Sequence, residues 1–101
     1  MAKTLFKGKN IFVTDSSKNN DALKGEPNTN IDFRKKSNGE IVRRRKLDEN
    51  GNAYKDMEFA GGHCGKDHIN EPVLMPRKHR PPNKKEQKEM DKARRKRKLW
   101  Q

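Results

Sequence analysis

The chain has three histidines, His63, His68 and His79, and histidine is the side chain best suited to proton transfer near neutral pH. The first two lie in a Gly-rich stretch, residues 60–68, directly after a run typical of a β-strand. Histidines placed next to an Arg-rich sheet face suggest cleavage of RNA without a metal. One group would take the proton of the ribose 2′-hydroxyl, and another would protonate the leaving oxygen. The alternative is that these loop histidines are exposed and have no chemical role.

Groups that would support this reaction lie in the two strand-like runs before the histidines. Arginines there would stabilise the negative charge that develops on the phosphoryl group in the transition state. The supporting residues are Arg43, Arg45, Tyr54 and Glu58. The sequence therefore predicts a catalytic set of these four residues with His63 and His68, and His79 is a substitute for either histidine.

A zinc site is a weaker alternative, built from His63, Cys64, Asp67 and His68. The set has no Cys-x-x-Cys pair, and a histidine next to a cysteine in sequence is difficult to place on one tetrahedral ion. We therefore expect neither a metal nor another cofactor. Because Cys64 is the one cysteine, an internal disulfide is excluded and a reducing compartment is favoured.

Two Asn-Gly pairs, at 38–39 and 50–51, separate three runs with strand-like patterns, at 31–34, 41–47 and 53–59. Asn-Gly favours the tight turns of β-hairpins because both residues tolerate a positive φ. The pattern predicts an antiparallel β-meander over about 31–59. With strands from the N-terminal segment and a basic C-terminal helix, the predicted fold class is small α+β.

Two-residue loops at both turns would fix which residues face each other. The pairs expected across the second turn are Arg43–Glu58, Arg45–Asp56, Leu47–Tyr54 and Val42–Phe59. The pairs expected across the first turn are Arg34–Arg43 and Asp32–Arg45. This register gathers apolar residues on one face, namely Ile31, Phe33, Val42, Met57 and Phe59, and charged residues on the other. A slip of one residue would exchange the faces of a strand.

Positive charge is concentrated at the C-terminal end. The chain has a net charge of +12, of which residues 77–101 contribute +9 and residues 1–76 contribute +3. Only 16 of the 101 residues are Leu, Ile, Val or Phe, a fraction below the ~20% level at which a highly charged sequence is suspected of disorder. We expect a small sheet-based domain at 1–76 and a Pro-interrupted basic tail at 77–101. No stretch has the length and apolar character of a transmembrane helix or a secretory signal.

The tail is expected to contain one helix. Asn83 followed by Glu86 is typical of a capping box, which predicts a helix over 84–99. Its apolar positions, chiefly Met90 and Ala93, look too few to dock it firmly. The predicted nucleic-acid-binding residues are Arg77, Arg80, Lys84, Lys85, Lys88, Lys92, Arg94, Arg95, Lys96, Arg97, Lys98 and Trp100. A solvated tail and an acidic protein partner are the alternatives.

Three stretches, GEPNTNIDF, NGEIVRRRKLDENGNAYKDMEF and GGHCGKDH, carry a resemblance over about residues 25–68. Together they resemble the small toxin domains at the C-termini of bacterial polymorphic toxins and free-standing relatives in phages and mobile elements. The resemblance implies a layout similar to the barnase, EndoU, colicin and RelE group of ribonucleases, and an acidic immunity protein as partner. Those relatives end soon after a closely spaced histidine pair, whereas Pro-rich and Lys/Arg-rich sequence follows His68 here.

The sequence thus predicts a toxin-type, metal-independent endoribonuclease that binds RNA and does not bind membranes. Its expected location is the cytoplasm, either of the producing cell or, after delivery by a secretion system, of a target cell. A non-catalytic nucleic-acid-binding accessory protein is the main rival, and a protein-binding inhibitor with a basic surface is a third hypothesis.

Overall fold

The computed structural model of the chain describes residues 4–8, 11–15, 23–60, 65–73 and 79–95. In these ranges one seven-stranded sheet packs against one α-helix. The strands are β1 (Thr4–Gly8), β2 (Ile11–Asp15), β3 (Asn30–Arg34), β4 (Ile41–Leu47), β5 (Ala53–Glu58), β6 (His68–Asn70) and β7 (His79–Arg80), and the helix is α1 (Lys84–Arg94). The predicted small α+β class is confirmed.

The strands lie in the sheet in the same order as in the chain, from β1 to β7. All neighbouring pairs are antiparallel except β2 and β3, which are parallel. Parallel neighbours cannot be joined by a tight turn, whereas antiparallel neighbours can. From β3 to β7 each strand pairs with the next one along the chain.

The turn between β4 and β5 is one residue longer than predicted. The Asp48 carboxylate accepts hydrogen bonds from the backbone N–H groups of Asn50 and Asn52, both at 2.9 Å, and Gly51 takes φ +79°. This is the geometry of a three-residue hairpin loop with glycine in the left-handed region. Leu47 therefore pairs with Ala53, and the predicted partner Tyr54 occupies a β-bulge.

The bulge at Tyr54 restores the predicted register in the rest of this hairpin. The predicted pairs Arg43–Glu58 and Arg45–Asp56 are confirmed, and the backbone N–H of Phe59 donates to the carbonyl of Val42 at 3.0 Å.

The register between β3 and β4 differs from the prediction. The loop has four residues, 36–39, because the hydrogen bond that closes it joins the Lys35 N–H to the Glu40 carbonyl at 2.8 Å. Arg34 then pairs with Ile41, Val42 is bulged, and the remaining pairs are Phe33–Arg43, Asp32–Arg44 and Ile31–Arg45. The predicted pairs Arg34–Arg43 and Asp32–Arg45 are therefore wrong. The net slip of one residue exchanges the faces of β3 relative to β4.

The two faces of the sheet consequently differ from the predicted apolar and charged faces. Facing residues of an antiparallel pair lie on the same side of a sheet. The arginine face, as we call it, carries Ile31, Phe33, Arg43, Arg45, Leu47, Asp56, Glu58, His68, Asn70 and His79. The helix face carries Asp32, Arg34, Ile41, Arg44, Lys46, Lys55, Met57, Ile69 and Arg80. Each face mixes apolar and charged side chains.

Helix α1 packs on the helix face. Met90 and Ala93 are buried there in one apolar cluster with Ile41, Met57, Phe59 and Ile69. The expectation that two apolar positions would be too few is wrong, because ion pairs surround the cluster: Arg44–Glu89, Lys46–Glu89 and Lys55–Glu86, all at 2.9 Å. The sequence suggested a boundary between a domain at 1–76 and a tail at 77–101, which falls between β6 and β7. In the structure β7 pairs with β6 in the same sheet, and α1 contributes to the apolar core of that sheet.

A buried ion pair lies beneath the helix. Asp32, which is fully buried, accepts two hydrogen bonds from Arg44, at 2.7 Å from Nε and 2.9 Å from Nη2. Arg34, also fully buried, lies 3.8 Å from the same carboxylate and donates to the carbonyls of Gly39 and Ala93. Buried charges need partners of this kind, and the bond to Ala93 ties the helix to β3.

Candidate functional site

The centre of the arginine face is a ladder of ion pairs between β4 and β5. Arg45 donates to both oxygens of Asp56, at 2.8 and 3.0 Å, and Arg43 Nε donates to Glu58 at 2.8 Å. Both guanidinium groups lie over the ring of the buried Phe33, 5.5 Å from its centroid for Arg45 and 5.9 Å for Arg43. Carboxylates on one side and the aromatic ring beneath fix both arginines in position.

The ladder continues across β6 to two histidines. In the sheet register Glu58 faces His68, and Asn70 lies between Asp56 on β5 and His79 on β7. Facing side chains in such pairs have Cβ atoms about 4.5–5.5 Å apart. The rings of His68 and His79 lie 5.3 Å apart, centroid to centroid, at an interplanar angle of 52°. His68 therefore lies across from Glu58, and the ring of His79 lies next to that of His68.

Accessibility differs between the two ends of the ladder. The side chains of Arg45 and Asp56 are 4% and 3% exposed, so this end is closed to solvent. Those of Arg43 and Glu58 are 13% and 10% exposed, His68 is half-buried and His79 is exposed. A ligand would therefore meet the histidine end of the ladder first.

Asn70 is a site residue that the sequence analysis missed. It is buried, its side-chain amide donates to Glu58 at 3.3 Å, and its amide oxygen has no hydrogen-bond partner among the described residues. Asn70 follows Ile69 in a strand of three residues, too short for alternation to reveal which face it occupies. The one signal in the sequence was that polar Asn70 is next to apolar Ile69, so that in a strand the two would lie on opposite faces.

The remaining predicted catalytic residues lie elsewhere. Tyr54 is 39% exposed and sits at the bulge of β5, four residues from Glu58. That spacing along a strand is about 13 Å, so the structure does not bring Tyr54 to the histidines. His63 falls outside the described residues, as does Cys64 of the alternative zinc set. Among the side chains that are described, no group of three or more His, Cys, Asp or Glu is arranged to hold a metal ion.

Two of the predicted nucleic-acid-binding arginines form ion pairs within the fold. Arg80 donates to both oxygens of Glu86, at 2.7 and 2.8 Å, and to Glu71 at 3.0 Å. Hydrogen bonds from Arg80 are the main reason why the pKa of the Glu86 carboxyl lies far below its usual range. Arg94 donates to both oxygens of Asp67 at 2.7 Å. These arginines hold β7 and α1 in place.

The other predicted contacts divide into two groups. Five cations of the helix region are exposed and form no ion pair within the described part of the chain: Lys84, Lys85, Lys88, Lys92 and Arg95. The others lie outside the described residues: Arg77, Lys96, Arg97, Lys98 and Trp100.

Neither a family model, nor a curated protein, nor a solved structure matches this chain. The resemblance to toxin ribonucleases remains a prediction. Within the described ranges, no helix has the length and apolar character needed to span a membrane.

Proposed function

We propose that this protein is a metal-independent endoribonuclease that acts on RNA at the histidine end of the arginine face. The observation that carries the proposal is the 5.3 Å approach of His68 and His79, with His68 facing Glu58, the ion-pair partner of Arg43. Two imidazoles supply a base and an acid, and an arginine fixed by a carboxylate supplies positive charge without needing to reorganise. The net charge of +12 suits a polyanionic substrate.

The reaction would run as an internal transesterification. One imidazole takes the proton of a ribose 2′-hydroxyl, and the oxygen attacks the adjacent phosphorus. The bond from phosphorus to the 5′-oxygen breaks, and the second imidazole, protonated, gives its proton to that oxygen. The products are a 2′,3′-cyclic phosphate and a 5′-hydroxyl. Arg43 stabilises the charge on the phosphoryl oxygens. Glu58 positions Arg43 through their ion pair and accepts a hydrogen bond from Asn70, and buried Arg45 belongs to the same ladder.

A toxin role extends the proposal. In this role the predicted meander holds the site, and the predicted basic helix supplies positive charge. An acidic immunity protein is the partner that would cover such a surface, because charge complementarity accelerates association and favours the correct partner. The enzyme would act on RNA in the cytoplasm of the producing or the target cell.

The test is RNA degradation in excess EDTA. We expect wild type to cut, and His68→Ala and His79→Ala to lose about 10²–10⁴-fold in rate, the usual contribution of a general acid or base. Tyr54→Ala is the matched control on the same sheet and should cut at the wild-type rate. His63→Ala shows whether the Gly-rich loop contributes. Intact RNA with wild type, or both histidine variants cutting as fast as wild type, would refute the proposal.

A non-catalytic nucleic-acid-binding accessory protein is the second candidate. It is favoured by a different observation, the five exposed cations of the helix region that form no ion pair in the described chain. Binding without cleavage, unchanged in the His68→Ala variant, would support it over the enzyme.

A further inference from the structure

Helix α1 distributes its charges by face. Its acidic residues all engage basic partners: Glu86 pairs with Lys55 and Arg80, Glu89 with Arg44 and Lys46, and Asp91 with Arg94. The exposed lysines of α1 point away from the sheet. Docking of the helix therefore neutralises cations of the helix face and presents a new set of cations to solvent.

Four of the outward cations form a line. Lys84, Lys88, Lys92 and Arg95 are spaced by four, four and three residues, which places them on one side of successive helical turns. Arg95 belongs to this line because the C-cap keeps a helical backbone, with φ −80° and ψ −10°. At about 1.5 Å per residue the line is about 16 Å long. We call these four residues the lysine stripe.

The contacts that dock the helix do not involve the stripe. Met90 and Ala93, which dock the helix, lie on its opposite side. Like charges at this spacing repel each other and destabilise a helix, and in the described chain no carboxylate pairs with any member of the stripe. A solvated helix face needs polar residues, but it does not need four cations in a row.

We propose that the lysine stripe binds the phosphate backbone of RNA, at a second contact separate from the arginine face. Successive phosphates repeat at every nucleotide of a strand, so an array about 16 Å long can contact several phosphates at once. The stripe binds without reading sequence, because cations contact phosphates and not base edges. RNA as the occupant rests on the proposed function.

The stripe begins close to the histidines. Lys84 follows His79 by five residues, and five residues span at most about 18 Å. β7, which carries His79, is the last strand in the order of the described sheet, so its edge lies between the arginine face and the helix. One RNA strand can therefore lie along α1 and pass this edge to reach His79 and His68. The stripe holds the substrate, and the arginine face reacts with it.

The experiment compares two variants of the full-length chain with the same loss of charge. Lys84→Gln/Lys88→Gln/Lys92→Gln removes three stripe cations, and Lys24→Gln/Lys35→Gln/Lys36→Gln removes three lysines that lie outside β6, β7 and the helix. The probe is a short single-stranded 2′-O-methyl RNA, which cannot form the 2′-oxyanion. Kd is measured from about 50 to 200 mM salt, where phosphate contacts dominate affinity. Circular dichroism confirms that both variants are folded.

We expect the stripe variant to lower the slope of log K against log[salt] by about 2, since each phosphate contact to a single strand contributes about 0.7. The matched variant should keep the wild-type slope. Equal slopes for the two variants would overturn the proposal. A second result would also overturn the proposal: wild type binds polyglutamate more tightly than RNA, and the stripe variant loses the binding of polyglutamate. The stripe would then dock an acidic protein. If the slopes differ but wild type does not cleave RNA, the proposed RNA contact of the stripe is supported and only the proposed ribonuclease activity is refuted.

Discussion

At the scale of single residues, Glu86 links the most elements. Its carboxylate accepts hydrogen bonds from the side chains of Arg80 and Lys55. It also accepts one, at 2.9 Å, from the backbone N–H of Asn83, which is the N-cap of the helix. It thereby joins β5 and β7 to the start of α1. Glu86 is buried, and these bonds require the charged form.

Acid should therefore weaken the fold through the helix. Hydrogen bonds from Arg80 lower the pKa of Glu86; burial alone would raise the pKa of Glu89, but Lys46 and Arg44 leave it lowered. A carboxyl whose pKa is lower in the folded state stabilises the protein above its unfolded pKa, about 4.3 for Glu, and loses that contribution as the pH falls through the folded value. We expect the free energy of unfolding to fall steadily from about pH 5 towards pH 2, measured by urea denaturation.

Glu86→Gln is the variant that tests this assignment. Without the charge, stability at pH 7 should drop, while the decrease towards low pH should become shallower. Exposed Glu49→Gln is the control and should reproduce the wild-type pH curve. A Glu86→Gln curve parallel to wild type would show that other carboxyls account for the acid sensitivity.

At the scale of elements, the hairpin turns set which residues share a face. Gly39 and Gly51 both have positive φ, +75° and +79°. Gly51 has a second constraint, since a Cβ at this position would collide with the backbone carbonyl of Gly25. The same two residues are joined by a 2.9 Å hydrogen bond from the Gly25 N–H to the Gly51 carbonyl.

Alanine at the two glycines should therefore have unequal effects. Gly39→Ala should cost about 1–2 kcal/mol, the penalty for a side chain in the left-handed region. Gly51→Ala should cost clearly more, because the collision with Gly25 must be relieved by moving backbone. Urea unfolding of both variants measures the difference. Equal losses would mean that the segment containing Gly25 shifts without cost.

At the scale of the whole molecule, β7 extends the sheet and α1 completes its apolar core, although both belong to the basic C-terminal quarter of the sequence. A truncation after residue 76 removes β7 and α1 and exposes the cluster around Ile41, Met57 and Ile69. It also leaves Arg44 and Lys55 without their carboxylates from the helix. We expect the truncated chain to lose cooperative urea unfolding, followed by circular dichroism, whereas the full chain unfolds in one transition.

The outcome decides how binding has to be measured. A truncated chain that kept a sharp transition would show that residues 1–76 form an independent domain, as the sequence suggested. If cooperativity is lost, reduced RNA affinity after truncation says nothing about direct contacts, and single-residue variants of the lysine stripe are needed.

The features that sequence alone determined depend on neighbouring residues. Asn83 and Glu86 predicted the capping box, which forms between residues three apart. The Asn-Gly pair at 50–51 predicted the hairpin of β4 and β5, but the predicted pairs Arg43–Glu58 and Arg45–Asp56 form only because the bulge at Tyr54 offsets the longer turn. Most of the candidate site on β4 and β5 follows from these pairs.

Tertiary structure alone decided the rest. An Asn-Gly pair indicates a turn but not its length, and no pattern signals the bulge at Val42 that moves Phe33 under the arginines. Strand β7 has only two residues, too few to show the alternation of apolar and polar side chains that marks a strand. Its pairing, which brings His79 to His68, was therefore not predictable. Bulges and short edge strands are fixed by contacts between distant segments: Val42 packs against the cluster of Ile31, Phe33 and Leu47, and Arg80 of β7 pairs with Glu86 of α1.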